Sequence, residues 1–189
     1  MRLHLLLTAL VLLPFVAYAY GPTPANTPDL PSAAQEHEAA AIAICRAYYR
    51  AQLDYAREDR NGDAIREYAR NFRGVRDQRS GLHLAVVAGS TPNGSSFDGR
   101  KPYHGYRYKI LTRQGGHAPG GRRDYLVGEH LVGGFALLAW PVKYGFSGRH
   151  TFLVNQSGRI LQKDLGPSTA KIAKQTTAYD PDATWTPVP

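Results

Sequence analysis

The run from Ala33 to about Arg57 contains neither proline nor glycine, in a chain of 189 residues that holds 19 glycines and 13 prolines. Alanine, glutamate, glutamine, arginine and leucine dominate it, and these are strong helix formers. Ala41, Ile44, Cys45, Tyr48 and Tyr55 recur at i, i+3 and i+4 spacing, while Arg46, Arg50, Asp54 and Arg57 fall on another face. The spacing predicts an amphipathic helix of about seven turns. Pro31-Ser32 opens it, with Ser32 as the expected N-cap and Glu36 and Glu38 near the positive helix start. A single helix of this kind is not a fold. Its apolar face requires a partner surface, and the rest of the chain has to supply one.

The period then changes from helical to strand-like. Tyr106, Tyr108 and Ile110 alternate with Arg107, Lys109 and Leu111, which predicts a strand over 105–112. Two further strands are expected at 125–127 and 131–140, around a Gly128-Glu129 turn. A hairpin is expected from His150–Asn155 and Arg159–Lys163, with Gly158 supplying the positive backbone angle of its turn. The glycine-rich stretch Gly115–Gly121 reads as a flexible loop between strands. A short helix follows Pro167 over 168–174, and the proline-bearing tail 180–189 reads as extended. Gly74 to Pro102 is poorly patterned and reads as a long surface loop with some structure near Leu82–Val87. Consecutive strands joined by short connections pair antiparallel most easily. The expected fold is α+β: a long N-terminal amphipathic helix packed on an antiparallel meander, then a short C-terminal helix.

The N-terminus predicts export. Arg2 precedes an apolar run over Leu5–Val16, and Ala17-Tyr18-Ala19 has the form of a cleavage site. The run is shorter than the roughly 20 residues a membrane span needs. The expected organisation is a signal segment at 1–19, a linker at 20–31 rich in proline, threonine and asparagine, and one domain at 32–189. This predicts a periplasmic or secreted protein with no stable membrane span after cleavage. The net charge is +8, and removal of Arg2 with the signal leaves +7. Such a charge favours contact with anionic polymers or membrane surfaces. No nucleic-acid motif is present, and no nucleic-acid partner is expected. Cys45 is the only cysteine, so no intramolecular disulfide can form. Its place on the apolar face reads as a buried residue.

Four runs together resemble a family of exported bacterial proteins, family 2950 of the domains of unknown function. They are Gly105-Tyr106-Arg107-Tyr108, the run Gly133 to Pro141, Thr151 to Asn155, and Lys163-Asp164-Leu165-Gly166-Pro167. Ala40-Ala41-Ile42, Tyr48 to Gln52 and Tyr55 to Tyr68 fit its opening. The resemblance covers most of the chain beyond residue 31 and implies no particular activity. The order of elements also resembles the globular head of type IV pilin-like proteins. The polymerising N-terminal helix of pilins has no counterpart here, because an ordinary cleavage site and a proline-rich linker precede a polar helix.

No nucleophile elbow, Ser-x-x-Lys, His-Glu-x-x-His or phosphate-binding loop occurs in the chain. His83, His104, His117, His130 and His150 show no metal-ligand spacing. Asp59, Asn61 and Asp63 stand at alternate positions, like the oxygen donors that open a calcium loop, although Ala64 and Arg70 occupy the places of its glycine and last glutamate. Calcium is the one cofactor this pattern suggests; the competing reading is a polar turn that ends the helix. Arg100, Lys101, Arg107, Lys109, Arg113, Arg122 and Arg123 make the middle of the chain basic and suggest a patch for an acidic partner, against a reading as a solvated sheet face. The function these features favour is a non-enzymatic envelope interaction module that binds another envelope protein or an anionic envelope polymer. The competing class is an envelope hydrolase whose site is assembled from distant residues.

Overall fold

The computed structural model describes residues 30–72 and 101–189. The expected export signal, most of the expected linker and the stretch 73–100, with most of the expected long loop, lie outside the described residues. Helix α1 spans Ser32–Tyr55. Its cap position is held by Pro31, whose carbonyl accepts from the N–H groups of Ala34 at 2.8 Å and Gln35 at 3.2 Å. Ser32 is therefore the first helical residue rather than the expected cap, and no side chain caps this end. Ala41, Ile44, Cys45 and Tyr48 are fully buried, as their spacing predicts.

The sheet elements are β1 (Tyr106–Leu111), β2 (Arg113–Gln114), β3 (Arg123–Asp124), β4 (Leu126–Val127), β5 (His130–Leu131), β6 (Ala136–Pro141), β7 (His150–Asn155), β8 (Ile160–Asp164) and β9 (Thr186–Pro187). A five-stranded antiparallel sheet runs in the order β1-β6-β7-β8-β9, and β2–β3 and β4–β5 form two small hairpins inserted between β1 and β6. A 3-10 turn at Gly166–Ser168 leads into helix α2 (Thr169–Gln175). The α+β fold expected from the sequence is the fold observed.

Two expectations are corrected. The strand expected over 131–140 is two strands, β5 and β6, because Gly133 and Gly134 bring the backbone flat against Tyr125. The Gly133 N–H donates to the Tyr125 carbonyl at 2.8 Å, and a Cβ on Gly133 would lie 2.8 Å from the Asp124 carbonyl oxygen. The tail is extended as expected but also contributes β9, which covers the outer edge of β8. Pro187 in that strand has no N–H to offer a further strand, a common protection of a sheet edge.

Strand alternation puts α1 and α2 on opposite faces. Tyr106 and Tyr108 face α1; Lys109, between them and Ile110, points to the other side. There its ammonium donates to the carbonyls of Lys174 at 3.0 Å and Thr176 at 2.7 Å, pairing groups that the end of α2 would leave unsatisfied. The core under α1 centres on Phe135, whose ring meets those of Tyr68 at 4.8 Å, Tyr48 at 5.6 Å and Tyr49 at 6.2 Å between centroids. Clustered tyrosines thus join helix to sheet. Gln52 is the one polar side chain on the buried face of α1. It is tolerated because Nε2 donates to the Ala69 carbonyl at 2.9 Å while Oε1 accepts from the Ala69 N–H at 2.8 Å.

Candidate functional site

The densest polar cluster lies where β6 turns into β7, beside the N-terminal half of α1. Glu38 is one turn too far along the helix to act on its dipole. Its Oε1 accepts from the backbone N–H groups of Arg149 at 2.6 Å and His150 at 2.9 Å, and its Oε2 lies 3.1 Å from His150 Nδ1. The Tyr106 hydroxyl donates to the His150 carbonyl at 2.9 Å. Only 15% of the Glu38 side chain and 32% of the His150 side chain are exposed. Burial by itself would raise the Glu38 pKa, but the bonds from the His150 ring and the two N–H groups outweigh it, and the carboxyl sits below its ordinary value. The same hydrogen bond raises His150 above its ordinary value, with burial pulling the other way. Burial pushes the Tyr106 phenol far above its usual range, so it acts as a neutral donor.

This cluster holds the loop that connects β6 to β7. Lys143 is the loop's anchor: its carbonyl accepts from the N–H groups of Phe146 at 3.1 Å and Ser147 at 2.8 Å, and its N–H donates to Ser147 Oγ at 2.9 Å. Gly145 N–H donates to the Gly148 carbonyl at 2.8 Å, and the Tyr144 hydroxyl donates to Asp164 Oδ2 at 3.1 Å. Gly148 is required by close approach, because a Cβ there would collide with the Tyr106 hydroxyl and lie 2.8 Å from the ring carbons beside it. At the tip Phe146 is 66% exposed, the most exposed of the large apolar side chains among the described residues, and Val142 at its root is 41% exposed. The Lys143 ammonium lies 4.8 Å from the Phe146 ring centroid.

The calcium-like residues lie elsewhere. Asp59 accepts at Oδ1 from Gly62 N–H (2.8 Å) and Asn61 N–H (3.3 Å), and at Oδ2 from Ala64 N–H (2.8 Å). Those N–H groups, Ala64 and Gly62 foremost, hold the Asp59 pKa below its ordinary value. Asn61 Nδ2 donates to Asp63 Oδ2 at 2.7 Å, and Ile65 N–H donates to Asp63 Oδ1 at 2.8 Å. Ala64 takes φ +65°, the left-handed conformation that a calcium loop reserves for glycine at this place. His130 Nδ1 lies 3.3 Å from Glu67 Oε2 and 3.5 Å from Asp63 Oδ2. Among the described residues no group of three His, Cys, Asp or Glu side chains is arranged to hold a metal ion.

Of the described basic residues, Arg113, Arg122 and Arg123 share the β2–β3 hairpin, while Lys101, Arg107 and Lys109 lie before or on β1. Arg100 lies outside the described residues. Lys101 is exposed before β1, and Arg107 is exposed on β1. Lys109 is spent on the end of α2. Arg113 lies 3.9 Å from Asp124, Arg123 stands over Tyr125 at 5.8 Å, and Arg122 is exposed beside them, all in the β2–β3 hairpin beyond the far end of β1. The Gly115–Gly121 loop within that hairpin, expected to be flexible, is tied down. Gln114 Nε2 donates to the carbonyls of Pro119 at 3.1 Å and Gly121 at 2.6 Å, and His117 N–H donates to Asp180 Oδ1 at 2.7 Å. Cys45 is buried, and burial pushes its thiol up to about 12, with Arg46 pulling weakly down. It has no nucleophilic character there.

Sequence reasoning places Glu38 at the helix dipole and leaves His150 among scattered histidines, and it passes over Phe146. One signal was available. In Val142-Lys143-Tyr144-Gly145-Phe146-Ser147-Gly148-Arg149 an aromatic residue stands between two glycines, where a hairpin tip is due, with two cations and no acid. The carboxylate partner of His150 has no such signal, because it lies on another element.

The chain belongs to the family described as protein of unknown function (DUF2950), whose model matches residues 34–188. No curated protein and no solved structure matches it.

Proposed function

We propose that this DUF2950 member is an exported, non-enzymatic module that acts by docking onto another component of the cell envelope through the β6–β7 loop. One observation supports this most: the polar groups that resemble catalytic machinery are used to hold that loop, and the loop presents Phe146 to solvent. A carboxylate bound to a histidine ring is the orienting half of a hydrolytic triad. Here the other Glu38 oxygen, Oε1, is engaged by two backbone N–H groups, and no Ser, Thr or Cys side chain hydrogen-bonds the His150 imidazole among the described residues. The export reading rests on Arg2, the apolar run Leu5–Val16 and Ala17-Tyr18-Ala19. Among the described residues no helix is long and apolar enough to cross a membrane.

In-cell photocrosslinking tests the module. A photoreactive residue at Phe146 should give a reproducible adduct, and one at Ile172 on α2, which is 38% exposed, should not. Equal labelling at both positions, or none at 146, overturns the reading. Turnover of an ester, amide or glycoside substrate that is lost on replacing His150 would favour the hydrolase instead.

A further inference from the structure

The β6–β7 loop combines two features that membrane-surface attachment needs together: an apolar side chain to insert and cations to meet anionic headgroups. Phe146 and Val142 are 66% and 41% exposed. Residues 142–149 carry Lys143 and Arg149 and no acid. The apolar tip and a cation are adjacent, since the Lys143 ammonium stands 4.8 Å from the Phe146 ring centroid. The hydrogen bonds among Lys143, Gly145, Phe146, Ser147 and Gly148 fix the tip before any contact is made, so little ordering is left to oppose binding.

A second exposed apolar tip provides a comparison within the same molecule. Val127 at the β4–β5 turn is 62% exposed, and Val132 just past β5 is 39% exposed. That turn carries Glu129 and no lysine or arginine between residues 126 and 132. It offers apolar surface with the wrong charge for an anionic sheet of headgroups. Apolar exposure alone therefore does not single out the β6–β7 loop; among the described residues, a ring 66% exposed with a cation 4.8 Å from its centroid does.

We infer that the β6–β7 loop docks this protein on an anionic phospholipid surface, with Phe146 entering the boundary between headgroups and acyl chains and Lys143 resting among the headgroups. The inference rests on the docking role proposed above and names its partner. Attachment of this size is reversible, because one inserted ring and a few cations fall far short of a membrane anchor.

The test is cosedimentation of the purified protein with phosphatidylglycerol–phosphatidylcholine vesicles and with phosphatidylcholine vesicles alone. Wild type and variants share one N-terminus, so any contribution of that end cancels. Binding should require the anionic lipid and weaken with added salt. Phe146→Ser should weaken it at least about tenfold, the effect of withdrawing one large apolar side chain. Lys143→Gln should weaken it about fivefold, and Val127→Ser should leave it unchanged. Melting temperatures within a degree or two of wild type would show that the variants fold. Equal binding to both vesicle types, no binding, or binding that survives Phe146→Ser overturns the inference. A protein adduct at position 146 in cells without vesicle binding would remove the lipid and leave the docking module standing; absence of both would remove both.

Discussion

Glu38 and His150 are 112 residues apart in sequence and share two contacts, Oε2 to the ring Nδ1 at 3.1 Å and Oε1 to the His150 N–H at 2.9 Å, and Oε1 also accepts from the preceding Arg149 N–H at 2.6 Å. The pair pins the N-terminal half of α1 to the start of β7, and so fixes one root of the β6–β7 loop. Glu38→Ala should leave two part-buried N–H groups unpaired and destabilise the protein by about 2 kcal/mol. Glu38→Gln keeps one acceptor and should cost about half of that. Urea denaturation of the three proteins measures the difference, with equal midpoints counting against the clamp.

The same pair predicts a pH dependence with a definite sign. His150 is raised when folded, so its contribution is full below the ordinary histidine value of 6.5 and is lost as pH rises through the raised value. Glu38 is lowered, so its contribution is present above the ordinary carboxyl value of 4.5 and is lost as pH falls through the lowered one. Asp164, paired with His150 across β7–β8, pushes His150 further up, and Arg149 pulls it down. The melting temperature should therefore fall from pH 6 to pH 9 in the wild type and fall less in His150→Asn. Parallel curves would show that the imidazole charge plays no part.

Gly148 lies against Tyr106 so closely that no other residue fits. Gly148→Ala should cost about 3 kcal/mol through overpacking and a displaced loop. Because Tyr106 is the obstacle, Gly148→Ala combined with Tyr106→Leu should be less destabilised than the sum of the two single variants. A double-mutant cycle reads this directly. Additive losses would mean that the glycine is needed for its backbone angle and not for space.

The β7–β8 hairpin was legible in the sequence because two short strand-like runs flank a turn closed by Gly158, whose φ is +73°. Helix α1 was legible because its buried residues repeat at helical spacing. β9 was not, since a proline-rich tail lacks strand propensity and pairs only because β8 offers it an edge. Nor was the division of β5 from β6, which depends on where Tyr125 places its backbone against Gly133 and its ring against Gly134. The Glu38–His150 clamp is legible in neither partner, for a glutamate seven residues into a helix reads as solvated until the strand it touches is in place.

Asp59 closes its loop with bonds from the N–H groups of Asn61, Gly62 and Ala64, and these need no cation. The melting temperature should be the same in millimolar calcium and in chelator, and Asp59→Ala should lower it equally in both. The lowered Asp59 pKa means that this support is present above the ordinary aspartate value and is lost as pH falls through the folded one. A rise of several degrees in calcium that disappears in Asp59→Ala would instead support the cation reading of Asp59, Asn61 and Asp63.

Cys45 supplies a direct readout of global opening. The thiol is fully buried on α1 against Tyr106 and Tyr108 of β1, and its pKa is raised to about 12. At pH 8 only about one molecule in ten thousand would carry the thiolate even if a reagent could reach it. Labelling by a disulfide reagent should therefore be slow in the native state and rapid in denaturant, with a native rate that tracks stability. Glu38→Ala, by loosening the contact between α1 and β7, should accelerate labelling by about the factor its lost stability predicts. If the rate rises far less than that factor, Cys45 is exposed by a local opening that does not break the Glu38–His150 contact, and α1 would then come away from the sheet in parts.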